Sequence, residues 1–119
     1  MNRTYLGSRV IGLGHFQPEK VLSNHDLEKL VDTNDEWIQA RTGIKERRMV
    51  GENDTVVTMA VEAARMALKD ADVDSADLIV VASTTSQNRT PNVASRVAEA
   101  LGMERPGVLD INTCLLFTS

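Results

Sequence analysis

Two places in this 119-residue chain combine residue types and spacings that could do chemistry. The first is Trp37 with Arg41, four positions apart, which project from one face if the segment is helical. A planar indole beside a guanidinium can sandwich a purine ring and pair with its phosphate. The same spacing also fits a tryptophan packed into a core with an arginine laid over it. The second place is Cys114, the only cysteine, just past the apolar segment Gly107-Val108-Leu109-Asp110-Ile111-Asn112. That segment reads as a strand, and ligands gather at the carboxyl ends of strands in open α/β sheets. If a helix begins at the cysteine, the field of its N-terminus lowers the thiol pKa and favours the nucleophilic thiolate. The plain alternative is a small apolar core cysteine.

Other motifs fail on their own chemistry. Gly12-Leu13-Gly14 lacks the third glycine of a dinucleotide loop, where Gln17 stands, and Pro18 opens a loop rather than a helix. It reads as a tight exit from a strand. Asp70-Ala71-Asp72-Val73-Asp74 resembles the start of a calcium loop, but Ser75 replaces the turn glycine and Val81 the closing glutamate. His15 and His25 have no cysteine or second histidine near them in sequence, so no metal is expected. Asn88-Arg89-Thr90 matches a glycosylation sequon, with nothing else pointing to secretion.

These residues need elements to hold them. Residues 4–14 mix β-branched, apolar and small side chains and predict a first strand, with an exposed loop over 15–21 around Pro18. Ser23 can cap a short helix bearing Leu27, Leu30 and Val31 on one face. A second helix is predicted over 34–41, capped by Asn34, with Asp35 and Glu36 in its first turn and Gly43 ending it. Residues 44–50 read as a short edge strand or arm rich in basic residues. The clearest helix is 55–71, whose Val56, Met59, Ala60, Ala63, Ala67 and Ala71 recur at helical spacing. Its alanine-rich face points to close packing against a sheet. A buried strand of the parallel type follows at Leu78-Ile79-Val80-Val81-Ala82-Ser83, then a helix from Asn92 to Leu101 stopped by Gly102, then the strand before Cys114. Strands separated by helices imply an α/β fold with a mostly parallel sheet and crossover helices. Such a sheet needs cover on both faces, and the helices here barely supply it.

Composition narrows the function classes. Thirteen basic against seventeen acidic residues give a net charge of −4, and the pI of about 5.1 disfavours nucleic acid or anionic membrane as a partner. A single cysteine excludes an internal disulfide framework and suits a reducing compartment. The apolar runs are too short to span a bilayer, and residues 1–9 contain no apolar core of signal-peptide type. A cytoplasmic protein is expected.

The stretch Asn34-Asp35-Glu36-Trp37-Ile38-Gln39-Ala40-Arg41-Thr42-Gly43-Ile44-Lys45-Glu46-Arg47 closely resembles the DEWI–RTGI–R signature of β-ketoacyl-acyl-carrier-protein synthase III. The resemblance extends from Val10-Ile11-Gly12-Leu13-Gly14 through the 55–67 helix, Asp77 to Thr85 and Thr90-Pro91, to Asp110–Phe117. It implies a thiolase-type fold of two similar α/β halves and a homodimer, with residues 1–119 an incomplete N-terminal half. It also implies a decarboxylative Claisen condensation of a primer acyl-CoA with malonyl-acyl-carrier protein, with acyl-CoA as substrate and no resident cofactor. By position, Cys114 matches the nucleophile, Trp37 the aromatic stacked on the CoA adenine, Arg41 the nearby CoA-binding arginine and Thr33 a polar contact to the same nucleotide. Thr90 matches a residue lining the acyl pocket, where many relatives have phenylalanine; threonine leaves room for longer or branched primers.

The chain departs from the family at the nucleophile, where Thr113-Cys114-Leu115-Leu116-Phe117 puts two leucines in place of a small pair. The resemblance assigns a catalytic histidine and asparagine to the half beyond these residues, so the 119-residue chain alone is expected to be inactive. Two alternatives accompany this reading: a non-catalytic module that binds CoA or a partner, and another thiolase-fold starter-unit synthase.

Overall fold

The computed structural model describes residues 7–86 and 90–112. They form two compact units: Gln17–Thr55, and the described residues from 7–16 together with those from 56 onward.

In the Gln17–Thr55 unit, β1 (Lys20–Ser23) leads into α1 (Asn24–Glu28), and α2 (Asp35–Thr42) is followed by β2 (Glu46–Met49). β1 and β2 pair antiparallel, with Lys20 opposite Met49 and Ser23 opposite Glu46. The expected edge strand is therefore present. Its partner is the end of the segment expected to be loop, because Lys20 and Val21 are extended and paired. The arginines of β2 serve this pairing. Arg47 donates to the Leu22 carbonyl at 3.3 Å, and Arg48 to the Pro18 and Glu19 carbonyls at 3.3 and 3.2 Å. A run of basic residues that suggests an arm in sequence is thus engaged with its own backbone.

Ser23 caps α1 as expected, within a full capping box: its hydroxyl accepts from the Asp26 N–H at 3.1 Å while the Asp26 carboxylate takes the Ser23 N–H at 3.3 Å. For α2, the Asn34 carboxamide accepts from the Trp37 N–H at 2.8 Å. Gly43 ends the helix with φ 70°, a left-handed conformation suited to glycine.

In the other unit, α3 (Val56–Asp70) precedes β3 (Leu78–Ala82), α4 (Val93–Ala100) and β4 (Gly107–Ile111). β3 and β4 pair parallel, Leu78 opposite Gly107 and Ala82 opposite Ile111, with α4 as the crossover. The core is Val61 of α3 with Val93 and Val97 of α4, flanked by Ile79 and Val81. Alternation along β3 sends Ile79 and Val81 towards the helices and leaves Leu78 and Val80 exposed. The expected doubly buried strand is therefore covered on one face only among the described residues. Asp110 fastens the crossover. Its carboxylate accepts from the N–H groups of Val93 and Ala94 at 2.7 and 2.8 Å, which meets two of the free donors at the start of α4.

The expected first strand over 4–14 is not a strand over the described residues 7–14. A strand needs a ladder partner, and this segment instead lies along α3. The Leu13 N–H donates to the Asp70 carboxylate at 2.9 Å, and the His15 N–H to the Met66 sulfur at 3.4 Å. Of the alanines expected to pack against a sheet, Ala63, Ala67 and Ala71 support this segment, while Ala60 packs on the core that Ile79 and Val81 of β3 flank. A Cβ added to Gly12 would stand 2.7 Å from the Ala71 Cβ, and one added to Gly14 would collide with the Ala63 carbonyl oxygen and stand 2.5 Å from the Ala67 nitrogen. Gly12-Leu13-Gly14 is thus spaced for close approach to a helix, rather than for a turn or a phosphate.

Two outcomes follow from these contacts. Gly14→Ala is expected to cost about 1–3 kcal/mol in denaturant unfolding, as overpacking does, while Gly7→Ala, with open space around it, should be neutral. Equal stability of the two variants would contradict the close approach. The second outcome concerns Asp26, whose carboxyl the Ser23 hydroxyl, at 2.6 Å, and then Lys29 hold at a pKa of about 2. Because the folded value lies below the ordinary carboxylate value, the stabilisation is whole above about pH 4 and is lost as pH falls towards 2. NMR titration of the side-chain carboxyl should show that low midpoint, and Ser23→Ala should raise it. A midpoint unmoved by Ser23→Ala would remove the capping box as its cause.

Candidate functional site

The face of α2 follows from its one buried residue. Ile38 is 7 % exposed and anchors the helix, while Glu36, Trp37, Ala40 and Arg41 are exposed. Trp37 is 55 % exposed, which decides against a tryptophan packed into the core. The Arg41 guanidinium carbon lies 5.1 Å from the centre of the Trp37 ring, within cation–π range. Among the described residues Arg41 makes no ion pair, so its charge is available to an anion. The indole and the guanidinium together present a flat, electron-rich and positively edged surface to solvent.

Thr33 stands just before the Asn34 cap and completes the setting. Its hydroxyl oxygen is buried and is the one buried side-chain polar atom without a hydrogen-bond partner among the described residues. A buried hydroxyl left unpaired carries a cost of about 1–3 kcal/mol. Beside it is a hollow of about 220 Å³ lined by Asp32, Thr33, Asn34 and Trp37. An aromatic face beside an unpaired cation suits a planar heteroaromatic ligand that carries phosphate. A larger hollow of about 390 Å³, between the ends of α3 and α4, mixes Arg65 and Lys69 with Asp72 and Asp74 and has no aromatic wall. It offers no comparable chemistry.

The scaffold behind α2 is polar. Asn24, 1 % exposed, donates to the Asp35 carboxylate at 2.7 Å and to the Ile44 carbonyl at 2.8 Å, and accepts from Arg47 at 2.7 Å. Asn24's hydrogen bond, with a further one from Gln39, holds the Asp35 carboxyl below the usual carboxylate range despite some desolvation. Asn24 is not evident from the sequence, because asparagine beside a cap reads as surface. The available signal was the Ser23-x-x-Asp26 capping box, which sets Asn24 as the first residue of a helix.

Of the residues singled out in sequence, Thr33, Trp37 and Arg41 share one unit and sit on or next to α2. Thr90 belongs to the other unit and is exposed, joined to Pro91 by a cis peptide ahead of α4. Cys114 and its neighbours from 113 to 119 lie outside the described residues. No group of three or more metal-ligating side chains occurs among the described residues. None of the helices described is long and apolar enough to cross a membrane.

No protein-family model matches the chain. Individual proteins do. The chain is 48% identical over 115 residues to β-ketoacyl-[acyl-carrier-protein] synthase III 2 of Streptomyces avermitilis, an alignment covering 94% of this chain and 36% of that protein. In backbone it superposes on the crystal structure of 3-oxoacyl-[acyl-carrier-protein] synthase III from Aquifex aeolicus with a TM-score of 0.83 and 46% identity, over 88% of this chain and 34% of that one. The priming β-ketosynthase of the R1128 polyketide pathway gives the same TM-score at 37% identity, over 87% of this chain and 31% of that one. The chain thus spans about a third of the length of the relatives it matches. The partial α/β architecture is that of the thiolase-type fold of these enzymes. Sequence identity and backbone agree: over about a third of their length, the proteins this chain is similar to are β-ketoacyl-[acyl-carrier-protein] synthases III.

Proposed function

We propose that this chain carries the coenzyme A nucleotide face, and at Cys114 the nucleophile, of an acyltransferase that starts fatty-acid synthesis. The reaction is the condensation of a primer acyl-CoA with malonyl-acyl-carrier protein in a cytoplasmic homodimer. The observation that carries the reading is the outward Trp37–Arg41 pair beside the unpaired Thr33 hydroxyl. Adenine would stack on the indole, Arg41 would pair with phosphate, and Thr33 would bond a polar group of the same nucleotide. Stacking and pairing at the nucleotide end of the ligand would orient the acyl group without altering its reactivity.

The chemistry in this reading is covalent. The Cys114 thiolate adds to the thioester carbonyl, the bond to the CoA sulfur breaks, and CoA leaves as its thiolate. The malonyl group then loses carbon dioxide. The electron pair of the broken carbon–carbon bond attacks the acyl-cysteine carbonyl, and the cysteine thiolate is expelled with the ketoacyl product on the carrier protein. Enolate and oxyanion need hydrogen-bond donors aimed at them. The family resemblance assigns the first task to a histidine and an asparagine with no counterpart in these 119 residues. The 119-residue chain by itself is therefore proposed to bind CoA without completing the reaction. A second reading, a priming synthase for a polyketide pathway, is supported by the equal TM-score to the R1128 enzyme. It shares the nucleotide face and differs in the primer.

Isothermal titration with CoA tests the nucleotide face. Trp37→Ala is expected to weaken binding about tenfold or more, since stacking a base on an aromatic ring is worth roughly 1–3 kcal/mol. Equal affinity of the two chains would refute the assignment. In a product assay with acetyl-CoA and malonyl-acyl-carrier protein, the 119-residue chain should yield no ketoacyl product. Detectable product would show that the histidine and asparagine are dispensable.

A further inference from the structure

The contacts of Asn24 reach both ends of α2. Towards the N-terminus of that helix, one hydrogen of its amide is donated to the Asp35 carboxylate at 2.7 Å. Past the C-terminus, the other is donated to the Ile44 carbonyl at 2.8 Å, and the Asn24 backbone N–H donates to the Lys45 carbonyl at 3.1 Å. Its carbonyl oxygen accepts from Arg47 of β2 at 2.7 Å, and the same guanidinium reaches the Leu22 carbonyl of β1 at 3.3 Å. Both amide hydrogens and the oxygen are thus in use on a side chain 1 % exposed. A helix of eight residues with one buried anchor, Ile38, has little apolar packing to fix where it sits. Hydrogen bonds at entry and exit supply that constraint, and only a carboxamide provides two donors and an acceptor in this geometry. Asp35 is tied further, by Gln39 at 2.6 Å on its carboxylate and through its own N–H to Glu28 at 2.7 Å.

We infer that Asn24, clamped between Arg47 and Asp35, is a positioning residue that sets the placement of α2 and so of the Trp37–Arg41 face. This rests on the nucleotide reading of that face. Asn24 touches no ligand in this scheme and acts through the helix alone. A displacement of about 1 Å is enough to weaken a stacked and charge-paired contact severalfold or more.

The test is a set of CoA titrations by calorimetry, each paired with an unfolding curve that gives the folded fraction. A role in stability alone raises the apparent Kd only by the reciprocal of that fraction. Asn24→Leu, of similar shape with no polar atoms, is expected to raise the Kd about tenfold beyond that factor. Asp35→Leu, on a less buried side chain, should do the same to a lesser degree and carries the test if Asn24→Leu fails to fold. Asp35→Asn keeps an oxygen for the Asn24 amide and should bind CoA within about twofold of the unmodified chain. If Trp37→Ala weakens binding while Asn24→Leu and Asp35→Leu, corrected for folding, do not, the positioning role is overturned and the nucleotide reading stands. If Trp37→Ala has no effect, the nucleotide reading fails and the positioning role fails with it.

Discussion

A carboxamide taken out of water must find partners for two donors and an acceptor, and the Gln17–Thr55 unit is organised around meeting that demand at Asn24. Leaving one of these groups unpaired would cost about 1–3 kcal/mol, which is large in a unit whose apolar anchors are few. Arg47 satisfies the oxygen, Asp35 and the Ile44 carbonyl satisfy the amide, and each partner lies on a different element or at a different end of one. The strand pair β1–β2, the short α1 and the entry and exit of α2 are therefore joined at one polar point. Trp37 and Arg41 are left free to face outward because α2 is held by hydrogen bonds behind it and by Ile38.

The other unit is held by different physics. Its core is aliphatic, with Val61, Val93 and Val97 against one face of β3. Two polar details complete it. Asp110 ties β4 to the start of α4, and Asp70 ties residue 13 to the end of α3. Alanines on α3 and glycines at 12 and 14 allow backbone to approach helix at a distance no larger side chain permits. The opposite face of the parallel pair, with Leu78, Val80 and Leu109, is exposed.

Much of this was legible in the sequence because it depends on local rules. The caps at Ser23, Asn34 and Asn92, the left-handed glycine at 43 and the 56–70 helix follow from side-chain chemistry within a few residues. The shared helix face of Trp37 and Arg41 follows from their spacing too, but that it turns outward does not, since the same spacing fits a core tryptophan. What was not legible depends on partners distant in sequence. Residues 7–14 have strand-like composition, but composition carries no ladder partner, and the α3 surface took the segment instead. Lys20 and Val21 read as loop beside Pro18 and become a strand because residues 48 and 49 pair with them. Asp110, read as one position of a strand, and Asn24, not singled out at all, owe their roles to groups 16 and 20 residues away.

The proposed reading of the outward face of α2 comes down to one contact, a planar base stacked on Trp37. The most direct test is a set of intermolecular NOEs between CoA and the chain in solution. Cross-peaks from the adenine H2 and H8 protons to the ring protons of Trp37, the only tryptophan, are expected. Bound CoA that shows no adenine contact at Trp37, or contacts only along its pantetheine arm, would contradict it.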